Sequence, residues 1–299
     1  MKEVCMSMRL ALVSIFCISA LTAAEKKLQP FPVGGEFSLG LDSFRSLPEG
    51  SFGGNMGAVG SLNIAYALPW QDQGVGVQGG GSFGVYTWDG RGSTDSKALQ
   101  LQGFATVGLF RTTPHESGFN AGACYDWNIE NKYGVYSRNP TMAQVRGQFG
   151  YLCKGGNEFG LLGSYATETA HKHFGALPIK FKAINQVNAF WRHIFKNTAE
   201  TMIWGGSPYA KGLMFSSGRA GTYIVGASFK APLTRSLSMN GHGVYMGARS
   251  GSGDVESKNY AANVSFALTY SFGASKAGSR PYLPLANNSN FLVDTNKNY

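Results

Sequence analysis

The residues best suited to chemistry are few and scattered. The five histidines are His115, His171, His173, His193 and His242. A hydrolytic site needs one of them beside a Ser or Asp. Only "ETAHKHF" sets two close together, His171 and His173, with Glu168 nearby. Histidines at i and i+2 share one face of a strand and can offer two ligands to a metal. No third ligand is evident beside them. No metal site, cofactor or catalytic residue is therefore expected, and the chain is not read as an enzyme. The Gly-rich stretches "GGNMGAVG", "GVGVQGGG" and "GSGD" open no helix, so they are not phosphate-cradling loops.

A second set of polar residues has a different spacing. Arg146 and Gln148 in "MAQVRGQFGYLC", Arg192 in "INQVNAFWRHIF", Lys230 in "TYIVGASFKAP" and Asp126 in "GFNAGACYDWNIE" each alternate with apolar neighbours. In a strand they project from the face opposite the apolar one. If that face lines a lumen, these residues line it, joined by Glu158. Counted so, the lumen is mildly basic and favours small polar or anionic solutes. The competing reading of each Arg is a structural ion pair across the lumen.

The same alternation runs along the whole chain. "NYAANVSFALTYSFG" at 259–273 puts Tyr260, Val264, Phe266, Leu268, Tyr270 and Phe272 on one face and Asn263, Ser265, Thr269 and Ser271 on the other. Twelve such segments are countable between residues 35 and 272. The eighth and ninth are poorly phased, so ten to fourteen strands remain open. Long and short connections alternate strictly, six long and five short. Aromatic residues sit near strand ends on the apolar face: Tyr66, Tyr125, Trp127, Tyr151, Trp191, Tyr223, Tyr260 and Tyr270. Tyr and Trp favour a boundary between hydrocarbon and water.

Composition agrees. Charged residues make up 14% of the chain, low for a soluble domain, and glycine is abundant at 41 residues. The excess of 26 Lys and Arg over 17 Asp and Glu is dispersed, so no nucleic-acid partner is expected. At the N-terminus, Lys2 and Arg9 precede an apolar run from Leu10 to Leu21, and Ala24 precedes Glu25. That is the layout of a secretory signal peptide. Its removal leaves Cys124 and Cys153, whose strand positions argue against a disulfide.

With these features the sequence resembles bacterial outer-membrane β-barrels. The resemblance rests on the signal peptide, the dyad strands, the alternation of turns and loops, and "VSFALTYSF" ending at Phe272. It implies an all-β, antiparallel, up-and-down transmembrane barrel in the outer membrane, in contact with its lipid. It also implies that Phe272 is the signal read by the barrel-assembly machinery. The expected organisation is a signal peptide at 1–24, a periplasmic segment at 25–34, the barrel at 35–272, and a periplasmic tail or mouth plug at 273–299. The expected function is a passive narrow channel passing small solutes through its lumen. The alternatives are a non-conducting structural or adhesive barrel acting through its long loops and, less favoured, a hydrolase. Neither solute nor oligomeric state is readable.

Overall fold

The computed structural model describes residues 33–49, 54–68, 74–86, 99–113, 116–213, 218–248, 260–273, 283, 286 and 290–297. The signal peptide and most of the 25–34 segment lie outside them. The strands are β1 (Val33–Arg45), β2 (Asn55–Ala67), β3 (Val75–Tyr86), β4 (Gln100–Arg111), β5 (Gly118–Asn131), β6 (Thr141–Leu152), β7 (Asn157–Ala166), β8 (Thr169–Phe174), β9 (Leu177–Ala183), β10 (Gln186–Ile194), β11 (Glu200–Pro208), β12 (Ile224–Pro232), β13 (Leu237–Met246), β14 (Ala261–Gly273) and β15 (Val293–Thr295). A short 3-10 helix, Leu47–Glu49, follows β1.

Twelve strands close into one antiparallel barrel in the order β1, β14, β13, β12, β11, β10, β7, β6, β5, β4, β3, β2. The seam between first and last strands pairs Phe37 with Tyr270, Leu39 with Leu268 and Leu41 with Phe266. All six point outward. Phe37, Leu39, Leu41, Val264, Phe266 and Leu268 are all exposed. A belt of that size around a whole molecule is unfavourable in water, and hydrocarbon removes the penalty. Alternation alone produces it, because the side-chain period of a strand is two.

The eight end-of-strand aromatics sort to two levels. Tyr66, Tyr151, Trp191 and Tyr270 lie toward the short-turn end of their strands. Tyr223 and Tyr260 immediately precede β12 and β14 at the long-loop end. Tyr125 reaches the same level, its hydroxyl 3.0 Å from Thr167 Oγ1, and Trp127 packs on it with ring centroids 4.6 Å apart.

β8, β9 and β15 form a separate three-stranded sheet. β8 and β9 are a hairpin in the connection between β7 and β10, a segment the sequence presents only as a loop. β15 belongs to the tail. The expected position of 273–299 at the short-turn mouth is therefore corrected for the described residues. β14 ends at Gly273, opposite Gly34 at the start of β1 and the short-turn end. Val293 pairs with Ala183 at the long-loop end. Between them, Leu283 packs on the inward Cys124. The described tail residues thus lie inside the barrel, Leu283 against the mid-strand Cys124 and Val293 at the long-loop end. Phe291, Leu292 and Val293 explain the latter position, since their apolar side chains are buried only in the core at the far end.

Candidate functional site

The register fixes which residues face the lumen. Arg146 lies opposite Cys124 and Ser164, Arg192 opposite Glu158 and Met202, and Lys230 opposite Glu200 and Asn240. Asp126, Arg146, Gln148 and Arg192 are buried in the interior. Each cation has a carboxylate partner. Arg146 donates to Asp126 through Nε at 2.9 Å and Nη2 at 3.0 Å, in a fork that matches the carboxylate. Arg192 donates to Glu158 from Nε at 2.9 Å. Lys230 Nζ lies 2.5 Å from Glu36 Oε1.

A mildly basic lumen is not what these faces form. Glu36, Asp42, Glu130 and Glu200 share the inward phase with Asp126 and Glu158. Among described wall residues the carboxylates outnumber Arg146, Arg192 and Lys230. Glu36 and Asp42 were detectable in "GEFSLGLDSF", where they alternate with Phe37 and Leu41.

Toward the long-loop end, side chains hydrogen-bond one another directly. Asp42 accepts from the Tyr86 hydroxyl at 2.7 Å and from Asn263 Nδ2 at 2.8 Å. Glu130 accepts from Gln102 at 2.5 Å, Gln100 at 3.1 Å and Asn128 at 3.1 Å. Asn55 continues the chain by donating to Gln100 Oε1 at 2.9 Å. Buried carboxylates persist only where donors replace the water they have lost.

An apolar seal packs against this network. Phe44, Tyr86, Phe104 and Met142 come from the wall, Tyr133, Val135 and Tyr136 from the β5–β6 hairpin, Ile179 and Phe181 from β9, and Phe291 and Val293 from the tail. The β5–β6 hairpin folds inward, and Val135 N donates to Pro48 O at 3.0 Å. Gly134 at its tip has φ of 68° and lies so close to Pro48 that a Cβ would stand 2.7 Å from the Pro48 oxygen. Its Tyr and Val side chains are therefore buried rather than displayed as an adhesive surface. Burial pushes the Glu49 carboxyl up to about 8 despite hydrogen bonds from Ser46, and raises the Tyr133 phenol well above its ordinary value.

Mid-lumen, the wall keeps room for the tail. The Trp204 ring lies flat over Gly226, where a Cβ would stand 2.2 Å from the ring. Nearer the long-loop end, the Tyr86 ring covers Gly84 at 2.6 Å. A cavity of about 50 Å³ remains beside Leu283 and Asn290, lined by Arg146, Gln148, Trp204 and His242 among others.

The other candidates are dispersed. His171 and His173 share the exposed face of β8, and among the described residues no cluster of metal-ligating side chains includes them. His193 meets Asn157 Oδ1 at 2.9 Å, His242 packs on Trp204, and His115 lies outside the described residues. Cys124 and Cys153 are both free thiols. Phe272 points outward at the seam, its ring over Gly35.

The sequence matches a family of unknown function (DUF6666) over residues 35–293, a span that includes the tail as far as Val293. No curated protein matches. Among solved structures, an outer membrane channel from Pseudomonas putida F1 is similar, with a TM-score of 0.53 and 10% identity over 83% of this chain and 100% of that one. The Salmonella typhi outer membrane phospholipase dimer with bound calcium gives a TM-score of 0.42 and 10% identity over 83% of this chain and 94% of that one. At such identities the first likeness shows the fold of outer-membrane β-barrels and nothing further.

Proposed function

The chain belongs to this family of unknown function, and we propose that it is an outer-membrane channel for small polar solutes, closed in the conformation observed. The observation that carries this reading is how the lumen is blocked. A barrel of about eight strands is filled by its own wall side chains, while one of sixteen or more leaves a channel. Here the twelve-strand wall folds its large inward rings down over Gly84 and Gly226, and tail residues Leu283 and Asn290 stand among the inward-facing side chains. The obstruction is completed by segments outside the wall, the tail together with the β5–β6 hairpin and β9.

In this reading the exposed belt contacts lipid, the two aromatic levels mark its boundaries, and Phe272 is what the assembly machinery reads. The long loops lie outside the cell and the short turns in the periplasm. With carboxylates in excess inside, neutral and cationic polar solutes replace anions as the favoured cargo.

Deleting residues 274–299 and reconstituting the barrel in a planar bilayer tests the proposal. Discrete conductance steps are expected from the shortened barrel, and near silence from the full chain. A shortened barrel that keeps heat-modifiable gel mobility yet stays silent would leave the non-conducting structural role in its place.

A further inference from the structure

The twelve wall strands close without the tail, so each already has two neighbours. The described part of the tail is instead held chiefly at the loop end. Leu292 O accepts from Ile184 N at 2.8 Å, and Asn290 O accepts from Gln186 Nε2 at 2.9 Å. Val293, Asp294 and Thr295 pair along β9 with Ala183, Lys182 and Phe181. Asn296 Oδ1 accepts from Lys180 N at 2.7 Å, extending the ladder by one side chain. Side chains alternate. Phe291 and Val293 enter the cluster with Phe104 and Phe181, the Phe291 ring edge-on to Phe104 at 5.7 Å. Leu292 enters the neighbouring cluster with Ile184 and Trp204. Asp294 Oδ2 accepts from Leu213 N at 2.5 Å.

This is how an extended peptide binds an open sheet edge. Main-chain bonds supply affinity, and alternate side chains in separate pockets supply selectivity. We propose that the loop-end seat, formed by β9, the Ile184–Gln186 stretch and the Leu213 backbone, is a strand-accepting peptide site. It selects the pattern Phe-Leu-Val-Asp-Thr, and the chain's own residues 290–297 occupy it as a tethered, exchangeable ligand.

Two features make the occupant exchangeable. β15 is only three residues long, on the edge of a three-stranded sheet. It also carries Asp294 into a buried position, where loss of water opposes its charge and holds the carboxyl up at about 6, with Lys182 the nearby cation. That occupancy closes the lumen rests on the channel reading above; the seat itself does not.

The test is peptide capture, which needs no conductance. The full-length chain carrying Leu292→Asp and Val293→Asp withdraws its own segment, and heat-modifiable mobility reports whether the barrel has folded. A fluorescent peptide of the sequence of residues 290–297 is then titrated in and followed by anisotropy. The vacated chain should bind it, and a peptide bearing Val293→Asp should bind at least about tenfold more weakly, since a charge replaces a buried methyl pair. The unaltered chain should bind poorly, because a tethered segment competes at roughly millimolar effective concentration. A folded, vacated chain that captures neither peptide, or both equally, overturns the proposal.

Should the double variant not fold, Ala183→Cys in the otherwise unaltered chain gives a second reading. A peptide with cysteine in place of Val293 should become disulfide-linked to it in the presence of a thiol oxidant such as diamide, each sulfur losing its proton as diamide takes up both. The parent chain serves as control. No link above that control overturns exchange. A folded barrel that stays silent after deletion of 274–299, with capture intact in the full-length chain, would remove the channel reading and leave the seat.

Discussion

The two ends of the lumen are built by the same strands and treat polar groups differently. At the short-turn end the Lys230 and Glu36 side chains remain 18% and 23% exposed, and water shares their charge. Toward the long-loop end Asp42 and Glu130 are each 2% exposed, and amides and a phenol do the work of water. The contrast locates the seal. It lies where the β5–β6 hairpin, the 3-10 helix, β9 and the tail close over the wall. The wall makes the bore, and segments outside the wall stop it.

That contrast can be broken at several points. The largest effect is expected deep inside. Asp126→Ala leaves the Arg146 guanidinium buried without its carboxylate, at a cost of about 3–5 kcal/mol, read as a lower temperature for the loss of heat-modifiable mobility.

Next comes pH. Burial raises Glu49 from 4.5 to about 8 in the folded seal, with Ser46, Tyr133 and Glu130 as its polar neighbours. The folded state therefore holds this proton more tightly than the unfolded one. Its contribution to stability is complete below pH 4.5, declines as pH rises, and is lost above about 8. Protease nicking of the loop end should be slower at pH 5 than at pH 8, and Glu49→Gln should flatten the difference.

A smaller loss is expected from Tyr86→Phe, which removes a hydroxyl donor to Asp42 and costs about 1–3 kcal/mol by the same thermal assay. Lys230→Ala at the wet end should cost under about 1 kcal/mol, because solvent already screens the pair. If Lys230→Ala proved as costly as Asp126→Ala, the distinction between a wet and a dry end would fail.

The outer face was legible because it depends only on neighbours two residues apart. Leu39, Leu41, Val264 and Phe266 announce themselves without knowledge of any partner. The inner face was half legible. The alternation around Asp126 and Arg146 marks them as inward, and adjacency of β5 and β6 then brings them together. Asp42 and Asn263 meet only because the first and last strands close the barrel, which no local pattern records. Glu130 escaped notice at a strand end beside a loop. The tail was the least legible part. Phe291–Val293 is too short to show a period, and its partner β9 lies beyond Gly175 and contains Pro178, residues that read as a loop. The pairing exists because two unremarkable segments share one apolar pocket.

Leu283 of the tail sits inside the barrel, and a native thiol stands ready to report it. Cys124 faces inward and packs against Leu283. In the full-length chain carrying Leu283→Cys, mild oxidation should link positions 124 and 283 within one molecule, seen as a shift in non-reducing gel mobility that Cys124→Ser abolishes. A Leu283→Cys chain that folds, keeps both thiols reactive and forms no such link would contradict the account.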